Sequence, residues 1–402
     1  MYHFSNIYKK NKIYEFRNKE LNINLDDLNL FNNNFIKLRS RFQKKKDISV
    51  GKIKELKINC NILHKKIYDD LVKQTKDKKL IKFLKCIEFF SYKNLDETLN
   101  FFLKSKYYSD LSNNNYQNLR KKFYYKNFIS KKSLDSILVN SNKYLPKLFN
   151  NVKKGRNKRS DLTISDPSYN KKISKILNLE FKKNGTLQNL KNFFGYEMIV
   201  AGAALELSVP NSNWWRKNSS SNLKNNLTSY IHTDETLTVP KSIIYLTDVN
   251  KENGPLTFYP GILEKIGIRN NPFANFVSGT LQNVAETNKK FYDYKYLRPM
   301  SSTKFRKHFM FLPEKIRLSS HFGWDIMRKS KIEKFIDSKK DLMIGRKGMY
   351  AIFDGHNVLH RGGILRKGYR LVLQVTFRKK LSKFNFLYSL IKKKIIKKNA
   401  YK

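Results

Sequence analysis

The sequence predicts an α+β protein: a mainly helical, basic first half over residues 1–180, then an antiparallel β domain over residues 181–380. Three observations predict it. In "VGKIKELKINCNILHKKIYDDLVKQT" and "LDETLNFFLKSKYYSDL" apolar residues recur at spacings near three and four, the period of a helix with one apolar stripe. From about residue 185 the texture changes to short β-branched or aromatic runs: "YEMIVAGAALELSV", "KSIIYLTDV", "PLTFYPG", "GMYAIFDG" and "YRLVLQVTFR". Between these runs stand "ENGP", "YPG" and "DGHN", whose residue types supply turn dihedrals.

Taken in order, the Asn-rich breaks "NNNF" (32–35) and "SNNNY" (112–116) predict loops between helices. The basic, apolar-free stretch "KKGRNKRSD" (153–161) predicts a solvated linker. The β region is interrupted once, over residues 262–345, where "NPFANF", "RKHFMFLPEKIR" and "KIEKFIDSKK" predict helices. Residues 381–402 form a basic tail whose last twelve residues hold six lysines and no acid. Such a tail is expected as a solvated terminus.

Composition excludes several classes. A chain of 402 residues can bury a substantial core, and 40% hydrophobic with 14% aromatic content excludes a disordered polymer. The formal net charge of +50 attracts nucleic acid, anionic surfaces and acidic partners. Lysine and asparagine are nevertheless spread evenly, even through "KQTKDKKLIKFLKC", the pattern a compositionally biased genome leaves. The charge by itself therefore assigns no binding site. Cys60 and Cys86 form no CxxC pair, which argues against a disulfide framework or a thiolate zinc site and predicts a reducing, cytoplasmic setting. The opening "MYHFSNIYKKNKIYEF" lacks the pattern of a signal peptide. No run approaches the roughly 20 apolar residues that span a bilayer, and "MIVAGAAL" (198–205) reads as a buried strand. The expectation is a soluble protein of undetermined oligomeric state.

One short stretch carries chemistry. In "SYIHTDETL" His232 and Asp234 stand two apart, so an extended backbone turns both side chains to one face. An imidazole and a carboxylate so placed are either an ordinary hydrogen-bonded pair or two-thirds of a metal site. Two histidines and one carboxylate on one face of a metal leave its other positions open, the signature of non-haem Fe(II) oxygenases. His3 and His64 lie in the helical half, and His308 and His321 in the interruption. His356 and His360 flank the end of a strand in "GMYAIFDGHNVLHRGG", and His360 is the preferred third ligand with His356 its rival.

The preference rests on Arg370, ten residues beyond His360. Arg370 opens a clean alternation: Leu371, Leu373, Val375 and Phe377 on one face, Arg370, Val372, Gln374 and Thr376 on the other. The apolar face is expected to pack outward on helices, leaving a guanidinium in a half-polar interior. Burying that charge unpaired costs several kcal/mol, so it calls for an acidic partner. A dicarboxylate held by a bidentate fork would satisfy it. Arg366, in a loop, is the alternative.

With "HTD", a strand, "LTDVNKENGPLTFYPG", "FDGHNVLHRGG" and an arginine opening the last strand, residues 190–378 outside the interruption resemble the Fe(II)/2-oxoglutarate-dependent dioxygenases, in particular the phytanoyl-CoA dioxygenase-like branch. The resemblance implies a double-stranded β-helix (jelly-roll, cupin-like) core. It implies iron held by His232, Asp234 and His360, with Arg370 on the distal carboxylate of 2-oxoglutarate and no catalytic residue beyond the metal ligands. Iron, 2-oxoglutarate and O2 would then oxidise a substrate C–H bond, usually to an alcohol, with ascorbate as an optional reductant. The substrate class implied is a small molecule or an acyl-type compound. The "NGPL" turn, Asn253 to Leu256, matches a family hairpin with a structural role.

The chain departs from the family pattern in places. Gly261 is followed by Ile262 and Leu263, where many members carry a Ser-His pair. Arg361, Gly362 and Gly363 stand where some members place a hydroxyl residue that helps hold the cosubstrate. Asp234 disfavours halogenation, because halogenating relatives lose that carboxylate. Thr376 stands where nucleic-acid demethylases carry a second arginine. The alternative to the oxygenase is a basic protein binding nucleic acid or an anionic surface, or an oxygenase acting on nucleic acid. Trp214 and Trp215 in "NWWRK" are expected to plug the barrel rather than touch substrate, and the side-chain directions of Thr233, Lys241 and Tyr245 are not legible.

Overall fold

A computed structural model of the chain describes residues 20–43, 49–104, 113–156, 161–210, 233–234, 239–265, 270–283, 308, 311–316, 336, 338–363 and 365–380. Three long helices come first: α1 (Leu25–Gln43), α2 (Val50–Lys73) and α3 (Lys78–Lys104). On α2 the buried stripe is Ile53, Leu56, Cys60, Leu63, Ile67 and Leu71, the three-and-four spacing read from the sequence. Ser49 caps this helix, accepting the Lys52 N–H at 3.2 Å.

The "NNNF" stretch is not a loop. Helix α1 runs through it, and Asn32 and Asn34 are buried within it. The reason lies elsewhere in the chain. Asn32 Oδ1 accepts the Phe273 N–H at 3.0 Å and its Nδ2 donates to Asn271 Oδ1 at 3.2 Å, capping a helix of the interruption, α9 (Pro272–Asn283). A poor helix former is thus kept in mid-helix by a tertiary bond. Asn32→Ala leaves the buried Phe273 N–H without its acceptor, so a loss of about 1–3 kcal/mol is expected, read as a lower urea midpoint with unchanged slope.

Helix α9 also packs on the first helices. Phe273 meets Phe31 edge-on at 5.0 Å and Phe276 meets Phe35 at 5.1 Å. With Val277, Leu312 and Ile316 they complete the core of α1–α3. Helix α9 and the first three helices therefore share one core.

The next elements are α4 (Asn114–Lys122), β1 (Tyr124–Phe128), α5 (Lys131–Asn142), α6 (Leu145–Lys153), β2 (Thr163–Ile164), α7 (Pro167–Lys183) and α8 (Thr186–Phe194). Asn113 caps α4, as "SNNNY" suggests. The strands that follow are β3 (Met198–Ser208), β4 (Lys241–Tyr245), β5 (Thr257–Tyr259), β6 (Asp341–Leu342), β7 (Met349–Phe353), β8 (Leu359–Arg361) and β9 (Arg370–Lys379). They form a six-stranded sheet in the order β1-β7-β4-β9-β3-β2 and a three-stranded sheet in the order β6-β5-β8, antiparallel throughout. Two of these strands, β1 and β2, come from the half that reads as helical. Each is a short run with little alternation, so its pairing is set by the neighbouring strand and not by its own pattern. Leu148, before the basic stretch 153–161, and Leu162, after it, belong to one core.

The large sheet has two buried faces. Leu371, Leu373, Val375 and Phe377 of β9 pack outward with Ile173, Leu177 and Phe181 of α7, as the alternation predicts. Val372, Tyr245 and Phe353 point the other way and meet Phe258 of the small sheet. This second face is the interior in which the site lies. Among the described residues no helix is long and apolar enough to cross a membrane. Cys60 and Cys86 are free and buried, and burial pushes both thiols up to about 12, which keeps them protonated and unreactive.

Candidate metal centre

Strand β8 places His360. In register with β5, His360 lies opposite Phe258. Paired residues of an antiparallel ladder project to the same side, and Phe258 belongs to the inter-sheet core. The imidazole accordingly lies inside, its ring 5.0 Å from that of Phe353, with 5% of the residue exposed.

Its nitrogens have separate partners. Nδ1 is 3.0 Å from the Val358 carbonyl, which can only accept, so Nδ1 carries the proton and Nε2 the lone pair. That lone-pair nitrogen is 3.6 Å from Asp234 Oδ2. Burial holds the His360 pKa below its ordinary value, partly offset by the Asp234 charge, and a neutral imidazole is the ligand form.

Asp234 is held from three sides. Its N–H donates to the Gly355 carbonyl at 2.7 Å, Lys241 Nζ of β4 donates to Oδ1 at 2.6 Å, and His356 Nδ1 is 3.2 Å from its carbonyl oxygen. Gly355 is what lets the carboxylate sit there: a Cβ built on it would overlap Oδ2 and come within 2.6 Å of the carboxylate carbon. The backbone dihedrals of Gly355 are not in the left-handed region, so close approach is the reason for glycine.

A gap of 3.6 Å is long for a hydrogen bond, and it is one that a single ion with bonds of about 2.0–2.2 Å can bridge. A carboxylate oxygen and a tautomer-fixed imidazole nitrogen are suitable donors for Fe(II). Residues Asp234 and His360, a hundred and more positions apart, are therefore brought together. His232 lies outside the described residues, as do Trp214, Trp215, His3 and His321. Among the described residues no three His, Cys, Asp or Glu side chains cluster in a way that could hold an ion.

The rival, His356, has both nitrogens engaged elsewhere, Nδ1 at the Asp234 carbonyl and Nε2 at 3.1 Å from Asn275 Nδ2 of α9. His64 is buried in the helical body beside Ser91, and the His308 ring lies tilted against that of Phe83 at 5.5 Å. Arg366 is a surface residue, 76% exposed at its side chain.

Arg370 is buried on the inner face, Nη2 donating to Ser208 Oγ at 3.4 Å. Burial lowers its pKa, and Tyr245 and Glu206 raise it. Glu206 stands two residues before Ser208 on β3, which brings a negative charge near the guanidinium. Tyr245 is a structural brace: its hydroxyl donates to the Met343 carbonyl at 2.8 Å and accepts the Leu256 N–H at 3.0 Å. The "NGPL" turn is structural too, with a Cβ at Gly363 blocked by the backbone of Gly254 and Pro255. Arg361, in place of a hydroxyl residue, lies over the Tyr259 ring at 5.9 Å. Ile262, after "YPG", is fully buried at the start of a one-turn helix, Ile262–Lys265.

The roles of two contributors are not legible in the sequence. Lys241 opens an ordinary strand, and Asn275 lies in a helix of the interruption. Only the folded chain sets the first on Asp234 and the second on His356.

No family model matches the sequence, and no curated protein matches it. Solved structures that resemble it include the non-heme alpha ketoglutarate dependent epimerase SnoN from nogalamycin biosynthesis, with 11% identity, 66% of this chain and 79% of that chain covered, and a TM-score of 0.34. HygX from Streptomyces hygroscopicus, solved with nickel and 2-oxoglutarate bound, has 10% identity, 68% and 88% coverage and a TM-score of 0.36. EctD from S. alaskensis, in its apoform, has 12% identity, 69% and 82% coverage and a TM-score of 0.34.

Proposed function

We propose that this chain is a non-haem Fe(II)/2-oxoglutarate-dependent oxygenase of the phytanoyl-CoA dioxygenase-like type. Its reaction would be hydroxylation of a small-molecule or acyl-type substrate. One observation carries the reading: His360 Nδ1 is bound to a carbonyl, and Nε2 faces the Asp234 carboxylate across 3.6 Å. The winding of the chain supports it. From β4 onward the strands fall in the large, small, small, large, small and large sheet, the alternation of a double-stranded β-helix.

His232, Asp234 and His360 would hold the iron. When bound, iron with 2-oxoglutarate and O2 supplies an oxidant for a C–H bond, and ascorbate would serve as a reductant that keeps the iron ferrous. The chain's own residues do the rest. Lys241 holds Asp234 Oδ1, which leaves Oδ2 turned toward His360. Arg370 offers a buried guanidinium to a carboxylate of the cosubstrate. Phe258, Phe353 and Val372 wall the interior with apolar surface and exclude water. Helix α9 and the first three helices, which share one core, would border the substrate.

Anaerobic titration with Fe(II) and 2-oxoglutarate tests the reading, through the weak visible charge-transfer band of the chelated cosubstrate. Arg370→Met is expected to bind metal as wild type does and to need at least about tenfold more 2-oxoglutarate, the worth of a charged hydrogen bond. Wild-type protein that develops no band overturns it.

A further inference from the structure

We infer that α9 is a positioning element of the metal centre, holding the Asp234 main chain through a strut of two side chains, Asn275 and His356. The inference rests on the metal reading above. The Asp234 carbonyl can only accept, so His356 Nδ1 carries the proton across that 3.2 Å contact. His356 Nε2 is then an acceptor, and Asn275 Nδ2 donates to it at 3.1 Å. Each of the two contacts in the chain α9–Asn275–His356–Asp234 pairs one donor with one acceptor, which fixes both the tautomer and the amide orientation.

The two ends of the strut are anchored. On one side, the Gly355 carbonyl accepts the Asp234 N–H at 2.7 Å, so residues 355 and 356 bracket the main chain of the ligand. On the other, α9 is seated on α1 by Phe273 and Phe276 and capped by Asn32. A shift of α9 against the β domain must move His356 and, with it, the carboxylate that faces His360. The helical body, which contributes no ligand, thus sets the placement of one. Neither residue touches the reacting atoms in this scheme, and both act through Asp234.

Cobalt(II) binding measured by its visible d–d absorption, alongside thermal unfolding without metal, tests the strut. Asn275→Leu is expected to raise the Co(II) Kd at least about tenfold and to shift the absorption, the effect seen when partners behind metal ligands are lost. His356→Leu should do the same, and the double variant should bind no more weakly than the worse single, because one strut has been cut twice. Asn275 is half-buried, so its variant decides the matter should His356→Leu fail to fold. A lower unfolding temperature with unchanged Kd and spectrum in Asn275→Leu overturns the inference and leaves the metal reading standing. Wild-type protein that binds no Co(II) overturns both.

Discussion

Asp234→Ala is expected to weaken Fe(II) binding by more than about 100-fold, beyond the 10–100-fold that losing an outer partner costs. The carboxylate is the anionic donor that faces His360 Nε2, at 3.6 Å. The ion-free variant should still fold, because Lys241, the partner left behind, has 30% of its side chain exposed and can reach water. The two effects separate in one measurement. At an ion concentration 100-fold above Kd the wild type gains about 2.7 kcal/mol of stability from mass action. Thermal unfolding with and without Fe(II) under anaerobic conditions should show that gain in wild type and none in Asp234→Ala. An equal gain in both proteins would place the metal elsewhere.

Gly355→Ala is the second large effect, and it follows from space alone. The added methyl would fall on Asp234 Oδ2, and the 2.7 Å bond from the Asp234 N–H to the Gly355 carbonyl ties the two backbones so that neither can retreat. The carboxylate must rotate, giving up its bond to Lys241 and its line to His360. We expect a loss of about 1–3 kcal/mol in stability, the usual cost of overpacking. Metal affinity should approach that of Asp234→Ala. Urea unfolding checks the first and metal titration the second. Alanine at 355 that binds metal normally would mean that Asp234 does not hold its place when the ion is present.

Much of this arrangement is legible before folding. The alternation in "YRLVLQVTFR" assigns Arg370 and Val372 to the interior and Leu371, Leu373, Val375 and Phe377 to the helices, because a strand has a period of two whatever surrounds it. The apolar stripe of α2 is read in the same way from a period of 3.6. Local periodicity fails where a partner distant in sequence decides. "NNNF" is helical because Asn32 caps α9 from 241 positions away. The short strands β1 and β2 exist because the edges of a sheet accept them. The alternation calls for an acidic partner to Arg370 without naming one, and the fold sets the charge of Glu206 near it from the neighbouring strand.

The sequence by itself determined the residue types of the centre, the period of each long element and the order in which candidate ligands appear. These are properties of nearest neighbours along the chain, where geometry repeats every two or 3.6 residues. Tertiary structure alone decided that Lys241 holds the Asp234 carboxylate and that α9 reaches the site through Asn275. Such choices depend on which hydrogen-bonding partner fills each buried position, and the fold draws those partners from separations of 7 residues (Lys241 to Asp234), 81 (Asn275 to His356) and 122 (His356 to Asp234).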